Sequence, residues 1–456
     1  MNLFDRADRA RARGAVFSAV ALAALILSGC STIQRLNPFD RDDGPQARAS
    51  QGNRIPVIAL NQQLQVSDSL RGQDFSLPPP AALADWPLPG GNAEQSIEHV
   101  EAAPNFLVGW RQHFGRGSNR RFHVVAPPVA AGGRIFVMDG DANVSAVEAS
   151  SGHVVWRTNL QPRSRRDREA WGGGIAYADG KLYVVTGFRQ VVQMDAATGA
   201  VGWRTNTVSL IHAAPTVSGG RVFAVTVDNT LMSFDMATGA QGWTYQALTE
   251  PARLIGASSP AVSGDTLITA FASGEVVALR TANGNELWNE ALTRDSRTNA
   301  LSEIRDIVGR PVIFRGDVYA VSHSGAFSAI DLRTGSARWT LPISSISSPW
   351  AAGDVVYVVS RAGEVICVAR DSGQVYWVRD LNEGRTGKNR AIWTGPILAS
   401  NRLVVVSSRG EATSLDPKTG AVNGTLRIGD RALISPIAFG GSIYVVTDNA
   451  ELVAIH

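Results

Sequence analysis

The side chains able to act as nucleophiles or metal ligands are few and scattered in this sequence. Only two cysteines occur, Cys30 and Cys367, which excludes a disulfide framework and a cysteine-rich zinc site. The seven histidines show no ligand spacing, so each is interpreted as an ordinary surface or core residue. Acids are more regular, because one stands four residues before a glycine at Glu148, Asp195, Asp235, Asp331 and Asp416. This regularity indicates a repeated structural unit rather than a catalytic pair.

The repeated unit is clearest in residues 194–203, which read M-D-A-A-T-G-A-V-G-W. A short polar residue precedes the glycine, and a tryptophan follows it by four positions. Short polar side chains hydrogen-bond nearby backbone and glycine adopts positive φ freely, so the unit predicts strand, tight turn, strand. Burial of a tryptophan side chain removes about 150–250 Å² of its surface from water, which is enough to pack one unit against the next. Complete copies end at Trp156, Trp203, Trp243, Trp288, Trp339 and Trp377; a seventh has Gly424 instead of tryptophan.

Each unit also opens with a short apolar run, usually after a proline, and continues with β-type runs such as 134–137 and 325–330. Four short strands in about 44 residues are typical of one propeller blade. Eight units begin this way, and the last stops at His456 after its third strand. Residues 106–110 match the missing outer strand, with Trp110 at the tryptophan position. The prediction is an all-β, eight-bladed propeller over 106–456, closed by this N-terminal strand. A seven-bladed ring with 106–125 outside it is the alternative.

The N-terminus has the pattern of an export signal. Residues 1–14 are rich in arginine, residues 15–27 are apolar, and the run is too short to span a membrane. Residues 27–30, L-S-G-C, resemble the bacterial lipobox, which implies a signal peptide over 1–29 and acyl chains on Cys30. Ser31 after that cysteine implies sorting to the outer membrane. Residues 30–105 lack the repeat and are rich in proline, which predicts a lipidated, extended tether with one apolar patch at 55–60.

Charge gives no sign of a nucleic-acid partner. The net charge is +3, and the arginines and aspartates before Cys30 contribute +2 of it (four arginines against two aspartates). The remaining chain is nearly neutral, so a basic binding surface is not predicted.

The repeat A-x-D-x-x-T-G-x-x-x-W resembles those of the pyrroloquinoline-quinone propeller superfamily, and the Gly-His and Trp-Asp signatures of WD40 repeats are absent. Quinoprotein dehydrogenases in that superfamily usually carry calcium ligands, a catalytic carboxylate and, in many members, paired cysteines or a haem site. Here the lipobox implies that Cys30 carries lipid, Cys367 stands alone in a predicted third strand, and no cluster of acids suggests a calcium cage. An enzyme, a cofactor and a metal are therefore not expected.

The lipobox, tether and ring together resemble the BamB family, the lipoprotein B subunits of the outer-membrane β-barrel assembly machinery. This resemblance implies a non-enzymatic scaffold with no catalytic residue, lipid-anchored on the periplasmic face of the outer membrane of a Gram-negative bacterium. It also implies binding to the POTRA domains of the central barrel subunit, BamA, and help in delivering unfolded outer-membrane proteins. A periplasmic propeller lipoprotein of another envelope assembly, or one that binds a small ligand, is the alternative.

In that family the partner surface lies on connectors between blades near the middle of the chain. Two long connectors occur here, between Trp243 and Pro260 and between Trp288 and Pro311. The resemblance places partner contacts at Arg253, Leu254, Ile255, Arg305 and Asp306. The family's second acid corresponds to Val308, a departure that weakens the match. The basic segments 163–168 and 383–393 are predicted to be solvated connectors.

Overall fold

A computed structural model describes residues 64–162, 172–249, 258–292 and 306–456. These residues form eight four-stranded antiparallel sheets, each with its strands in the order expected for a propeller blade. The predicted eight-bladed ring is confirmed, and the seven-bladed alternative is wrong. Cys30, residues 31–63 and the basic segment 163–168 lie outside the described residues.

Blades 1 to 4 follow one another along the chain, each from its innermost to its outermost strand. Blade 1 contains β2 (Val129–Ala131), β3 (Arg134–Met138), β4 (Asn143–Glu148) and β5 (Val154–Asn159). Blade 2 contains β6 (Gly173–Ala178), β7 (Lys181–Thr186), β8 (Gln190–Asp195) and β9 (Val201–Asn206). Blade 3 contains β10 (Thr216–Ser218), β11 (Arg221–Val225), β12 (Thr230–Asp235) and β13 (Gln241–Gln246). Blade 4 contains β14 (Ala261–Ser263), β15 (Thr266–Ala270), β16 (Glu275–Arg280) and β17 (Glu286–Ala291).

Blades 5 to 7 repeat this pattern, and blade 8 combines the two ends of the ring. Blade 5 contains β18 (Val312–Phe314), β19 (Asp317–Val321), β20 (Phe327–Asp331) and β21 (Ala337–Leu341). Blade 6 contains β22 (Trp350–Ala352), β23 (Val355–Val359), β24 (Glu364–Ala369) and β25 (Val375–Asp380). Blade 7 contains β26 (Trp393–Ala399), β27 (Arg402–Ser407), β28 (Glu411–Leu415) and β29 (Val422–Arg427). Blade 8 contains β30 (Ile437–Phe439), β31 (Ser442–Val446), β32 (Glu451–Ile455) and β1 (Val108–His113).

Strand β1 closes the ring by pairing antiparallel with β32. Trp110 lies opposite Ala454 and Gln112 lies opposite Leu452. This pairing removes the free edge that three strands alone would leave on blade 8. Like the outer strands of other blades, β1 alternates between half-buried and exposed residues. The second and third strands of a blade are instead buried on both faces, because adjacent blades cover them.

The turn before each outer strand is built by side-chain hydrogen bonds to the backbone. In blade 2, Asp195 Oδ1 accepts the N–H of Thr198 at 3.0 Å and its hydroxyl at 2.9 Å. Lys181 Nζ, 2.9 Å from Asp195 Oδ2, and the Thr198 hydrogen bonds lower the pKa of Asp195 to about 2. The same carboxylate turn recurs at Asp235, Asp331 and Asp416.

The turn glycine receives the tryptophan of the preceding blade. A Cβ on Gly239, whose φ is +73°, would lie 2.5 Å from Trp203 Cε3, so only glycine fits both the conformation and the space. The Trp203 Nε1–H donates to the Met236 carbonyl at 3.0 Å, which satisfies its polar atom in the same contact. The same pairs occur at seven blade boundaries: Trp110–Gly152, Trp156–Gly199, Trp203–Gly239, Trp243–Gly284, Trp288–Gly335, Trp339–Gly373 and Trp377–Gly420.

The boundary between blades 7 and 8 lacks this pair. Gly424 stands at the tryptophan position, and the outer strand of blade 8 comes from the other end of the described ring. There Arg111 of β1 donates from Nη2 to the Arg427 carbonyl at 3.1 Å and from Nη1 to the Ile428 carbonyl. Hydrogen bonds from one arginine therefore join the two blades where the tryptophan is missing.

Residues 81–103, which we call the strap, lie on the face that carries the turns between first and second strands. The backbone N–H of Trp86 donates to the Ala130 carbonyl at 2.7 Å, and the Ala130 N–H donates back at 2.8 Å. Across its length the strap hydrogen-bonds to one residue or more in every blade: Ala130, Tyr177, Thr216, Val262, Ile313, Trp350, Leu398 and Gly441.

The prediction of a tether over 30–105 is therefore wrong from residue 64 onward. The Trp86 side chain is 1% exposed and stacks on Trp350, with ring centroids 6.4 Å apart. Upstream of the strap, the Ser67 N–H donates to the Val375 carbonyl at 2.9 Å and Phe75 packs against Tyr376. The segment docks because it buries these aromatic side chains while hydrogen-bonding to backbone groups of the inner strands and their turns.

We predict that Trp203→Ala will lower the free energy of unfolding by about 3 kcal/mol, because it removes packing between two blades and leaves a cavity. Denaturant unfolding monitored by circular dichroism measures this change. Val201→Ala, at an exposed position of the same strand, is the control and should change stability by less than about 0.5 kcal/mol. Equal stability of the two variants would contradict the packing role.

We also predict that Trp86→Ala will destabilise the ring by about 3–5 kcal/mol, since this side chain is fully enclosed although it lies outside the repeats. The comparison is Leu107→Ala, whose side chain is 62% exposed. The midpoint of thermal unfolding, measured for both variants, tests this prediction. An unchanged midpoint for Trp86→Ala would mean that the strap does not stabilise the ring.

Candidate partner-binding face

The connectors that lead from one blade to the next emerge opposite the strap. Strand direction alternates within each blade, so these connectors share one end with the turns between second and third strands. We call this the connector face. Scattered exposed apolar residues are ordinary, but their recurrence on one face is typical of a binding surface. Six exposed apolar side chains stand on its connectors: Val125, Val208, Leu210, Leu248, Ile346 and Ile392.

A groove of about 390 Å³ opens between blades 5, 6 and 7 on this face. Val308, Ile346 and Ile392 supply its apolar walls, and Trp393 and Arg361 also line it. Ile392 is 51% exposed, so the groove carries apolar surface accessible to a partner. Apolar walls next to an arginine are a common composition for the centre of a protein interface.

The connector that bears Ile392 is held in place by hydrogen bonds. Asn382 Oδ1 accepts the Ala391 N–H at 2.8 Å, and its Nδ2 donates to the Ala362 carbonyl at 3.0 Å. Arg385 lies 5.7 Å from the Trp393 ring and pairs with Glu411 at 3.0 Å. A rigid surface loses less conformational entropy on binding. The segment 383–393, predicted to be a solvated connector, is exposed at 383–384 and 386–390, while Ala391 and Trp393 are buried on either side of the exposed Ile392.

Asp306 lies beneath the connector face rather than on it. Its side chain is 1% exposed, and its carbonyl accepts the His323 N–H at 2.9 Å. Ile307 is buried in the core between blades 4 and 5, and Val308 is the first residue of this connector to line the groove. The predicted acid thus anchors the connector, while Val308, which replaces the family's second acid, faces the groove.

The other predicted contacts lie outside the described residues: Arg253, Leu254, Ile255 and Arg305. Leu248, which lies in the connector between Trp243 and Pro260, is described and is exposed on the connector face. Ile346 and Ile392 were not predicted from the sequence. In the sequence each appears as an isoleucine in a mostly polar connector, a pattern too common to indicate a binding residue.

A second pocket of about 480 Å³, with both polar and apolar lining residues, lies where blades 7, 8 and 1 meet on the same face. Ser118, Asp448 and Arg431 line it, with Arg431 Nε 3.5 Å from Asp448 Oδ2. Burial raises the pKa of Asp448, and the nearby Arg431 opposes that rise. The connector face therefore offers one apolar groove and one charged pocket.

The central channel opens on the connector face and is lined by residues just before or at the start of the innermost strand of every blade. Its volume is about 150 Å³. At the other end Trp86, Pro89 and Gln95 of the strap line a small cavity of about 10 Å³, roughly the space of one water. The strap thus covers the channel on its own face.

The described thiol is buried, and the described acids form no metal-binding group. Cys367 is buried in the third strand of blade 6, where burial raises its pKa well above the ordinary range. Within residues 64–162, 172–249, 258–292 and 306–456, no three His, Cys, Asp or Glu side chains are grouped so as to hold a metal ion. The same part of the chain has no helix with the length and apolar character needed to cross a membrane.

The sequence comparisons identify one family. The family model for outer membrane protein assembly factor BamB matches residues 107–167 and 140–379. The protein of that name from Shewanella oneidensis is 26% identical over 355 residues, covering 76% of this chain and 88% of the relative. The match to the Moranella endobia relative, also 26% identical, covers 44% of this chain and spans only half of that relative.

The solved structures show the fold alone, because their sequence identities are low. The crystal structure of BamB from Moraxella catarrhalis superposes with a TM-score of 0.66 at 20% identity, covering 76% of this chain and 99% of that one. Quinohemoprotein alcohol dehydrogenase from Comamonas testosteroni gives a TM-score of 0.63 at 15% identity, covering 80% of this chain and 76% of that one. Fold similarity therefore does not separate an assembly factor from an enzyme. The family model covers more than half of the sequence, and the chain belongs to the family of the outer membrane protein assembly factor BamB.

Proposed function

We propose that this protein is a non-enzymatic scaffold of the outer-membrane β-barrel assembly machinery. In this role it binds the POTRA domains of BamA through its connector face and helps to deliver unfolded outer-membrane proteins for insertion. Family membership supports the general role. The single observation that carries the binding proposal is the rigid apolar groove at Val308, Ile346 and Ile392.

The proposed location is the periplasmic face of the outer membrane, with acyl chains on Cys30 as the anchor. The lipobox-like residues 27–30 and Ser31 support this proposal. One acyl chain alone binds a bilayer only marginally, so stable anchoring requires more than one. With the strap covering the opposite face of the ring, we assign the connector face to the partners.

A redox enzyme is the less supported alternative. Dehydrogenases share the fold, but at 15% identity or less that likeness says nothing of activity. The described cysteine is enclosed in blade 6 and lines none of the channel. The repeated acids form turns at the edge of each blade, where their carboxylates accept backbone hydrogen bonds. A scaffold function explains these residues without giving any of them a catalytic role.

We predict that Ile392→Asp will weaken binding of the BamA POTRA domains by at least about tenfold, since a charge would enter an apolar contact. Binding of purified domains to the immobilised protein measures the affinity. Val422→Asp is the matched control, because Val422 is 49% exposed on an outer strand at the rim of the ring. Equal affinities of the two variants would place the binding surface elsewhere.

A second variant tests the connector predicted from the family resemblance. Replacing Arg253 and Leu254 together with alanine should reduce recovery of BamA with the lipidated protein from outer membranes, because truncation removes an apolar contact and a directional charge. Arg333→Ala combined with Val422→Ala, both at exposed positions away from the connector face, provides the control. Undiminished recovery with the Arg253 and Leu254 variant would remove this loop from the interface.

A further inference from the structure

One charged side chain, Arg310, lies in the wall of the central channel. It stands two residues before β18 and lines both the open part of the channel and the small cavity under the strap. Ser348 and Ser435 line the same two spaces. Arg310 is therefore placed midway along the channel, reachable from the connector face.

The guanidinium of Arg310 has no ion-pair or hydrogen-bond partner among the described residues. Its Nε is buried without an acceptor, and no carboxylate lines either space. Burial alone lowers the pKa of Arg310 to about 10, so the side chain stays charged near neutral pH. Arg310 is partly buried and faces the open channel, so a bound anion there would supply the counter-ion that the protein itself does not.

The surroundings of Arg310 suit a small, singly charged anion with an apolar body. The Ser348 hydroxyl oxygen accepts the Arg310 backbone N–H at 2.8 Å, which leaves its own proton available to a ligand. Val308, Ile346 and Ile434 supply apolar surface in the channel. A volume of about 150 Å³ exceeds one water and is smaller than the ~300–1,000 Å³ of pockets for drug-sized ligands.

We propose that the central channel binds a small monocarboxylate, whose carboxylate pairs with the Arg310 guanidinium and the Ser348 hydroxyl. Its apolar end contacts Val308, Ile346 and Ile434. An arginine presents paired N–H groups that match the two oxygens of a carboxylate. Arg310 is the one arginine or lysine in the channel lining, where His212 also stands, and a doubly charged phosphate fits less well beside it than a carboxylate. Val308 and Ile346 also line the groove, whereas Arg310 and Ser348 line the channel and not the groove, so the proposed anion site does not rest on the proposed partner binding.

Calorimetric titration of the full mature protein with butyrate, butylamine and inorganic phosphate tests the proposal. We expect saturable binding of butyrate, weaker binding of phosphate and none of butylamine. Arg310→Gln should weaken butyrate binding at least about tenfold, the factor expected for loss of one charge-assisted pair. Arg361→Gln, at an exposed arginine of the neighbouring groove, should leave the affinity unchanged.

Two further measurements keep the test informative if Arg310→Gln folds poorly. Arg310→Lys retains the charge without the paired N–H groups and should bind butyrate with intermediate affinity. Without ligand, Arg310→Gln should unfold at a higher temperature than the unaltered protein, because an unpaired charge is removed. Absence of saturable butyrate binding, equal binding by Arg310→Gln, or tighter binding of phosphate than of butyrate would overturn the proposal.

Discussion

The contact between a tryptophan and the turn glycine of the next blade is the constraint on which the ring depends. Each blade alone is a small sheet with apolar residues on both faces, so it is stable only when neighbours cover it. Trp203 seals one such boundary by lying directly on Gly239 and by donating its N–H to a carbonyl of the same turn. Any side chain on that glycine would separate the blades, which couples the turn residue to the aromatic residue of another repeat.

The one boundary without this contact is the place where the ring is closed. Strand β1 completes blade 8, and Arg111 joins it to blade 7 through backbone carbonyls. The strap adds a second closure, because it hydrogen-bonds to all eight blades and buries Trp86 over the channel. The N-terminal part of the described chain therefore holds together a structure whose repeats contact only their neighbours.

These two closures make the faces of the ring different. The strap covers the channel on one side, while the connectors on the other carry exposed apolar residues such as Ile392 and the groove beside Val308. Dehydrogenases and assembly factors share the ring because its strands only build the framework. What distinguishes members of such a fold lies in the connectors and in the lining of the channel, where Arg310 stands without a counter-ion.

The sequence by itself determined the number of blades, the turns and the strand that closes the ring. Those features follow from local spacing, because a glycine and a tryptophan four residues apart shape the same hairpin wherever they occur. It did not reveal the strap, since Trp86 looks like any aromatic residue in a proline-rich segment and its partners are spread over the whole chain. The groove and the site at Arg310 were likewise decided only by tertiary structure. Ile346, Ile392 and Arg310 belong to different blades, and nothing in their local sequence shows that closing the ring brings them to one face and one channel.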